Sequence, residues 1–170
     1  MRRESFSTAV LNTLREALAS ELTIERFDIG TLPLYNADLD GDHPPEPVRA
    51  LKSAIAASQG LLIVSPEYSY GVPGVLKNAL DWASRPAYQS VLKDKLAGII
   101  SVSRSFTGGV RAQGDLKRAL YGSLARTLPW QEVVIGMVQD KVKNGKLTDE
   151  TSLKFSLDLV RGLANEIRAR

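Results

Sequence analysis

The sequence predicts an α/β domain: one parallel sheet with helices packed on both faces, three layers in all. Three observations carry the prediction. Residues 61–64, Leu-Leu-Ile-Val, and 96–103, Leu-Ala-Gly-Ile-Ile-Ser-Val-Ser, are apolar without alternation, as strands buried on both faces are. Around them lie segments whose apolar residues recur every three or four positions, the spacing of one helix face. The two kinds of segment alternate along the chain, so each strand is followed by a helix that can cross back over the sheet.

The elements follow in order. Residues 5–20 place Val10, Leu11, Leu14, Ala17 and Leu18 on one helical side, and Ser5 or Ser7 can cap that helix by accepting a free first-turn N–H. Residues 22–29, Leu-Thr-Ile-Glu-Arg-Phe-Asp-Ile, mix apolar and charged positions and suit an edge strand. Residues 30–45, rich in Gly, Pro, Asp and Asn, read as loop, and 45–58 as a helix with Val48, Leu51 and Ile55 inward. After the strand at 61–64 a short loop leads to a helix with Val75, Leu76, Ala79, Leu80 and Ala83 on its apolar side. The strand at 96–103, a loop at 104–109 and a helix burying Ala112, Leu116, Leu120 and Leu124 come next. Residues 132–138 read as the last strand, and a turn is expected at Asn144-Gly145. The final helix, capped by Thr148, buries Leu153, Leu157, Val160, Ala164 and Ile167, with Asp149 and Glu150 at its positive end. No repeat or linker divides the chain, so residues 1–170 are read as one domain.

Composition narrows the chemistry. With 44% hydrophobic and 24% charged residues the chain is an ordinary globular sequence, long enough for a sizeable core. It has no cysteine, which excludes disulfides, thiolate catalysis, iron–sulfur clusters and Cys-based zinc sites. One histidine, His43 in a polar loop, leaves no His-rich metal site, so neither a metal nor a catalytic side chain is assigned. The net charge of +3 comes from scattered Lys and Arg rather than a basic stripe, which argues against nucleic acid and fits small anionic ligands. No apolar run approaches a membrane span and no signal peptide opens the chain, so a soluble, cytoplasmic protein is expected.

Three stretches carry candidate chemistry. The first is the amino-terminal Arg2-Arg3-Glu4-Ser5-Phe6-Ser7, where a helix start offers free N–H groups to an anion. The second runs from 65 to 86, Ser-Pro-Glu-Tyr-Ser-Tyr-Gly-Val-Pro-Gly-Val-Leu-Lys-Asn-Ala-Leu-Asp-Trp-Ala-Ser-Arg-Pro, a loop and helix at the carboxyl end of a strand. In open parallel sheets that end is where ligands bind. Two tyrosines and a carboxylate there suggest a flat aromatic ligand. The third is Ser103-Arg104-Ser105-Phe106-Thr107-Gly108-Gly109-Val110-Arg111, where two glycines let backbone approach a ligand.

The second stretch resembles the signature of the flavodoxin-like NAD(P)H-dependent FMN reductases, which include quinone, chromate and azo-dye reductases. Their pattern, roughly P-E-Y-x-x-x-x-P-G-x-L-K-N-A-x-D-W, is matched by Pro66, Glu67, Tyr68, Pro73, Gly74, Leu76, Lys77, Asn78, Ala79, Asp81 and Trp82. The resemblance implies a doubly wound, flavodoxin-like sheet. Met1 then stands just after the family's first strand, so that strand is expected to be missing from the sequence. It also implies that Arg2, Ser5 and Ser7 hold the FMN phosphate. Pro66, Glu67, Tyr68, Ser69 and Tyr70 would meet the flavin edge, and Ser103, Gly108, Gly109 and Arg111 its pyrimidine side. Lys77, Asn78, Asp81 and Trp82 would fix the helix and a subunit interface instead.

The implied activity is a ping-pong transfer of two electrons from NADH or NADPH, through FMN, to a small-molecule acceptor such as a quinone, azo compound or metal oxyanion. A homodimer or homotetramer is expected on the same ground. Arg104 is an unusual charge in its loop that could attract an NADPH phosphate. The rival readings are a flavodoxin-type electron carrier, disfavoured by a sequence pI near 9.2, and a non-catalytic homologue that has lost FMN.

Overall fold

A computed structural model of the chain describes residues 4–170, so Arg2 lies outside the described residues. Its centre is a parallel pair, β1 (Gly60–Pro66) and β2 (Leu96–Val102), in register from Gly60↔Leu96 to Pro66↔Val102. Along both strands side chains alternate between two cores. Leu61, Ile63, Ala97 and Ile99 join one cluster with α2 (Glu46–Ala57), α3 (Gly74–Ala83) and α4 (Val110–Gly122). Leu62, Val64, Ile100 and Val102 join the other with α1 (Phe6–Ala17) and α6 (Glu150–Arg168). The expected three layers are therefore present, and the continuous apolar runs are explained by burial on both faces.

The far side of β2 is shared. β3 (Arg126–Thr127) pairs with Leu96 and Ala97, and β4 (Val133–Ile135) with Ile100 to Val102. The strand expected over 132–138 is thus only three residues long. Pro129 lies in the break between the two short strands, where a residue without an N–H would cost a ladder bond. A four-residue helix, α5 (Val138–Lys141), and the antiparallel ribbon β5 (Val142–Lys143) and β6 (Lys146–Leu147) follow. The ribbon turns at Asn144 and Gly145, both left-handed, as the sequence predicts.

The edge strand expected at 22–29 is not one. Residues 22–28 form no helix or strand, and among the described residues no strand lies against the outer edge of β1. Leu22 and Ile24 pack into one core, Phe27 and Ile29 into the other. The apolar residues of the segment are therefore divided between the two cores, without a ladder. Two helix readings also shift. Leu124 is no part of α4: it sits at φ +60° and 40% exposed, closing the helix through its N–H to the Tyr121 carbonyl and the Ala125 N–H to the Leu120 carbonyl. On α6 the buried stripe is Ser152, Ser156, Leu159, Val160 and Leu163, with Ser156 donating to the Ser152 carbonyl. A reading that follows apolar residues alone misses a stripe that begins with two serines.

The cap of α6 is Asp149, whose carboxylate accepts the Ser152 N–H at 2.8 Å, while Thr148 donates to the Lys141 carbonyl. Hydrogen bonding by Ser152, from its side chain first and then from its N–H, holds the Asp149 carboxyl below its ordinary value. A lowered folded pKa means the cap contributes fully above the ordinary carboxylate range and is lost as pH falls through and below it. Asp149→Ala is therefore expected to cost about 1 kcal/mol at pH 7. In urea unfolding the gap from wild type should narrow as pH falls below the ordinary carboxylate range, and a gap constant with pH would refute the cap.

Direction matters for the site. The carboxyl end of α6 lies over the amino ends of the strands, with Ile167 against Gly60. Glu21, just past α1, pairs with Arg161 on that same helix, and the Arg168 guanidinium donates to the Glu21 carbonyl. So α1 ends where the strands begin, and its amino end at Ser5 points toward their carboxyl ends. Among the described residues no helix is long and apolar enough to cross a membrane.

Candidate functional site

Because Pro66 and Val102 are paired in register, the loops that follow β1 and β2 leave the sheet side by side. The first closes on itself. Tyr68 N–H donates to the Gly71 carbonyl at 3.1 Å and Gly71 N–H to the Tyr68 carbonyl at 2.9 Å. Ser69 and Tyr70 at the tip have φ of +48° and +63°, a geometry that Asn and Gly adopt far more readily. The turn projects Tyr68 and Tyr70 outward, 63% and 71% exposed. The Arg111 guanidinium lies over the Tyr70 ring, 4.3 Å from its centre.

The second loop is fastened to the strand beside it. Ser103 N–H donates to the Ile135 carbonyl, and the Ser103 and Ser105 carbonyls accept from Val138 and Met137 N–H groups. Ser103, Ser105 and Thr107 hydroxyls form a ladder with steps of 2.9 and 3.0 Å. Gly108 and Gly109 have φ of +64° and +85°. A Cβ on Gly108 would lie 2.9 Å from Val134 Cβ, and one on Gly109 3.1 Å from Ser101 Cβ. The chain's own packing requires both glycines. Arg104 is exposed and makes no ion pair among the described residues, and Phe106 is 90% exposed.

Glu67 ties the two loops together. Its Oε2 accepts the N–H groups of Arg111 at 2.9 Å and Ala112 at 3.1 Å, in the first turn of α4, and Oε1 stands 3.7 Å from the Arg111 guanidinium. The amino end of α4 is therefore closed by a carboxylate. The amino end of α1 differs: it has no acidic residue in its first turn, Ser5 accepts the Thr8 N–H, and the Ser5 and Ser7 hydroxyls are 2.9 Å apart. That end remains suited to an anion.

Residues 77–82 face away from the loops. Asn78 accepts the Tyr35 N–H and donates to the Pro33 carbonyl, which also accepts from Trp82 Nε1 at 2.8 Å. Lys77 pairs with Asp81 on the α3 surface. Asn78 and Trp82 thus fasten the helix to the loop at 33–35, while Lys77 and Asp81 pair along its surface. Sequence reasoning missed the link from Glu67 to Arg111 and Ala112, because no local spacing joins positions 44 apart. Among the described residues no group of acidic or histidine side chains could hold a metal.

A parallel sheet with helices on both faces, and two coupled loops at the carboxyl ends of adjacent strands, define an α/β protein of the flavodoxin-like kind. The family model described as NADPH-dependent FMN reductase matches residues 1–140, and the chain belongs to that family. The cofactors expected from the sequence, FMN and a reduced nicotinamide, are those of the family's own description. A 2-hydroxy-1,4-benzoquinone reductase from Burkholderia sp is 48% identical over 172 residues, covering 100% of this chain and 93% of that protein. An NAD(P)H:quinone oxidoreductase from Solanum tuberosum is 40% identical over 181 residues, covering 100% and 91%. Among solved structures, FerB, a flavoenzyme NAD(P)H:(acceptor) oxidoreductase from Paracoccus denitrificans, superposes with TM-score 0.86 at 32% identity, covering 99% of this chain and 93% of that one. The chain is an oxidoreductase of this family.

Proposed function

We propose that this chain, as a single domain, binds FMN non-covalently along the rim described above and reduces quinones with NADH or NADPH. The observation that carries the reading is the coupling of the loops after β1 and β2 at one sheet edge, with α1 starting toward the same end and no acidic residue in its first turn. Bound FMN would supply the redox chemistry, a two-electron transfer between nicotinamide and acceptor. The protein supplies position and charge. Ser5 and Ser7, with Arg2, hold the phosphate against the α1 amides, whose dipole favours an anion. Backbone of Pro66 to Tyr70 forms one wall, with the exposed Tyr68 and Tyr70 rings offering apolar faces to a flat acceptor. Ser103, the Gly108-Gly109 backbone and Arg111 form the other, and the Arg111 cation favours negative charge nearby.

Donor and acceptor use this face in turn, so the kinetics are ping-pong. Azo compounds and metal oxyanions are further acceptors that suit an open site. A homodimer or homotetramer completes the wall, a reading supported by the exposed apolar Phe106, Val134 and Met137 beside the second loop. The setting is cytoplasmic.

The test is purification followed by absorbance and turnover. Flavin absorbance, with NAD(P)H oxidation by a benzoquinone far faster than free FMN achieves, is the expected result. Bound flavin with no faster turnover would instead indicate an electron carrier. Colourless protein that rejects added FMN would indicate a non-catalytic homologue.

A further inference from the structure

Glu67 lies in the middle of the proposed rim, yet its side chain is turned inward and only 8% exposed. Two amide hydrogen bonds and the Arg111 guanidinium occupy its oxygens. Hydrogen bonds to a carboxylate are about twice as strong as neutral ones, and here they fall at a helix amino end, where the backbone dipole favours negative charge. Oε2 is thus spent on α4, and Oε1 faces the Arg111 cation. What the carboxylate governs is the separation of two loops that otherwise arise from different strands. Its own Cβ lies within 3.4 Å of where a Gly109 Cβ would be, so the loops touch at this point. Arg111, held from the other side, covers the Tyr70 ring and so reaches the strained tip of the first loop.

We propose that Glu67 is the positioning residue of the site: its carboxylate bridges the loop after β1 to the first turn of α4 and sets the distance between the two walls. It also cancels the positive end of α4, which leaves the α1 start as the stronger anion site on this edge. The consequence for FMN rests on the cofactor reading above; the bridge itself does not.

The experiment follows two quantities in the full chain: amide hydrogen exchange at Arg111 and Ala112 without FMN, and FMN affinity by fluorescence titration. In E67A both amides should exchange at least about tenfold faster and FMN should bind at least about tenfold more weakly, the loss of one charged hydrogen bond or more. In E67Q the amide oxygen can still accept both N–H groups but the charge is gone, so both quantities should fall between those of E67A and wild type. If E67A does not unfold cooperatively, E67D, one methylene short of α4, replaces it with the same expectation. Native exchange or native affinity in the shortened variant overturns the proposal. So does an E67Q that loses FMN while its amides stay protected, because the charge would then be meeting the ligand directly. A wild-type chain that rejects FMN yet shows this exchange pattern removes the cofactor reading and leaves the bridge standing.

Discussion

Trp82→Ala is expected to lower stability by about 3–5 kcal/mol, the largest loss for any single position named here. Trp82 is wholly buried in the core on the α2, α3 and α4 side, and the Tyr35 ring meets it edge-on with centres 4.8 Å apart. Truncation removes the apolar contacts of an indole, opens a cavity, and deletes the donor to the Pro33 carbonyl. That carbonyl keeps its bond from Asn78, so the cavity dominates the loss. Against a total stability of about 5–15 kcal/mol for a domain, this is a large share. Trp82→Phe, which retains much of the volume, should lose less than half as much. Urea unfolding of the three proteins checks the order, and a loss below about 1 kcal/mol in the alanine variant would mean the site repacks.

The second large effect concerns the rim rather than the core. A Cβ placed on Gly136 would sit on the Phe106 carbonyl oxygen, with the Ser105 carbonyl oxygen 3.1 Å away. These are backbone atoms of a loop already fastened on both sides, so a methyl group cannot be accommodated by turning a side chain. Gly136→Ala should push residues 103–109 outward, cost about 1–3 kcal/mol, and weaken FMN binding by an order of magnitude or more. FMN titration together with urea unfolding tests this. Unchanged affinity would show that the loop does not form a wall of the site.

The sequence was legible where one segment's pattern was enough. β1 and β2 could be read because strands covered on both faces need no polar positions. The hairpin at Asn144-Gly145 was visible because those residues tolerate left-handed backbone. The apolar runs at 61–64 and 96–103 placed both loops correctly at a strand end, and the family signature marked the first of them. It could not reveal that the Glu67 carboxylate is spent on α4, since that depends on where two distant loops meet in space. Nor could it show why Gly108 and Gly109 are glycines: flexibility beside a ligand and close packing on Val134 and Ser101 leave the same letters in the chain. Residues 22–29 misled for a related reason. Apolar residues mixed with charged ones suit an edge strand, but a segment passing from one core to the other at the sheet edge shows the same mixture without joining the ladder.

The family match ends at residue 140, but α6 does not stand apart from what precedes it. Leu159 and Leu163 occupy the room left by Gly98, the Trp130 ring lies on Gly162, and the Arg161 guanidinium grips Glu21 with two hydrogen bonds. The closing helix thus shares with α1 the roof over one side of the sheet, seated on strands read far earlier in translation. A fragment cut at the edge of the recognisable pattern would leave Ile100 and Val102 facing water, and it would clump rather than hold a cofactor.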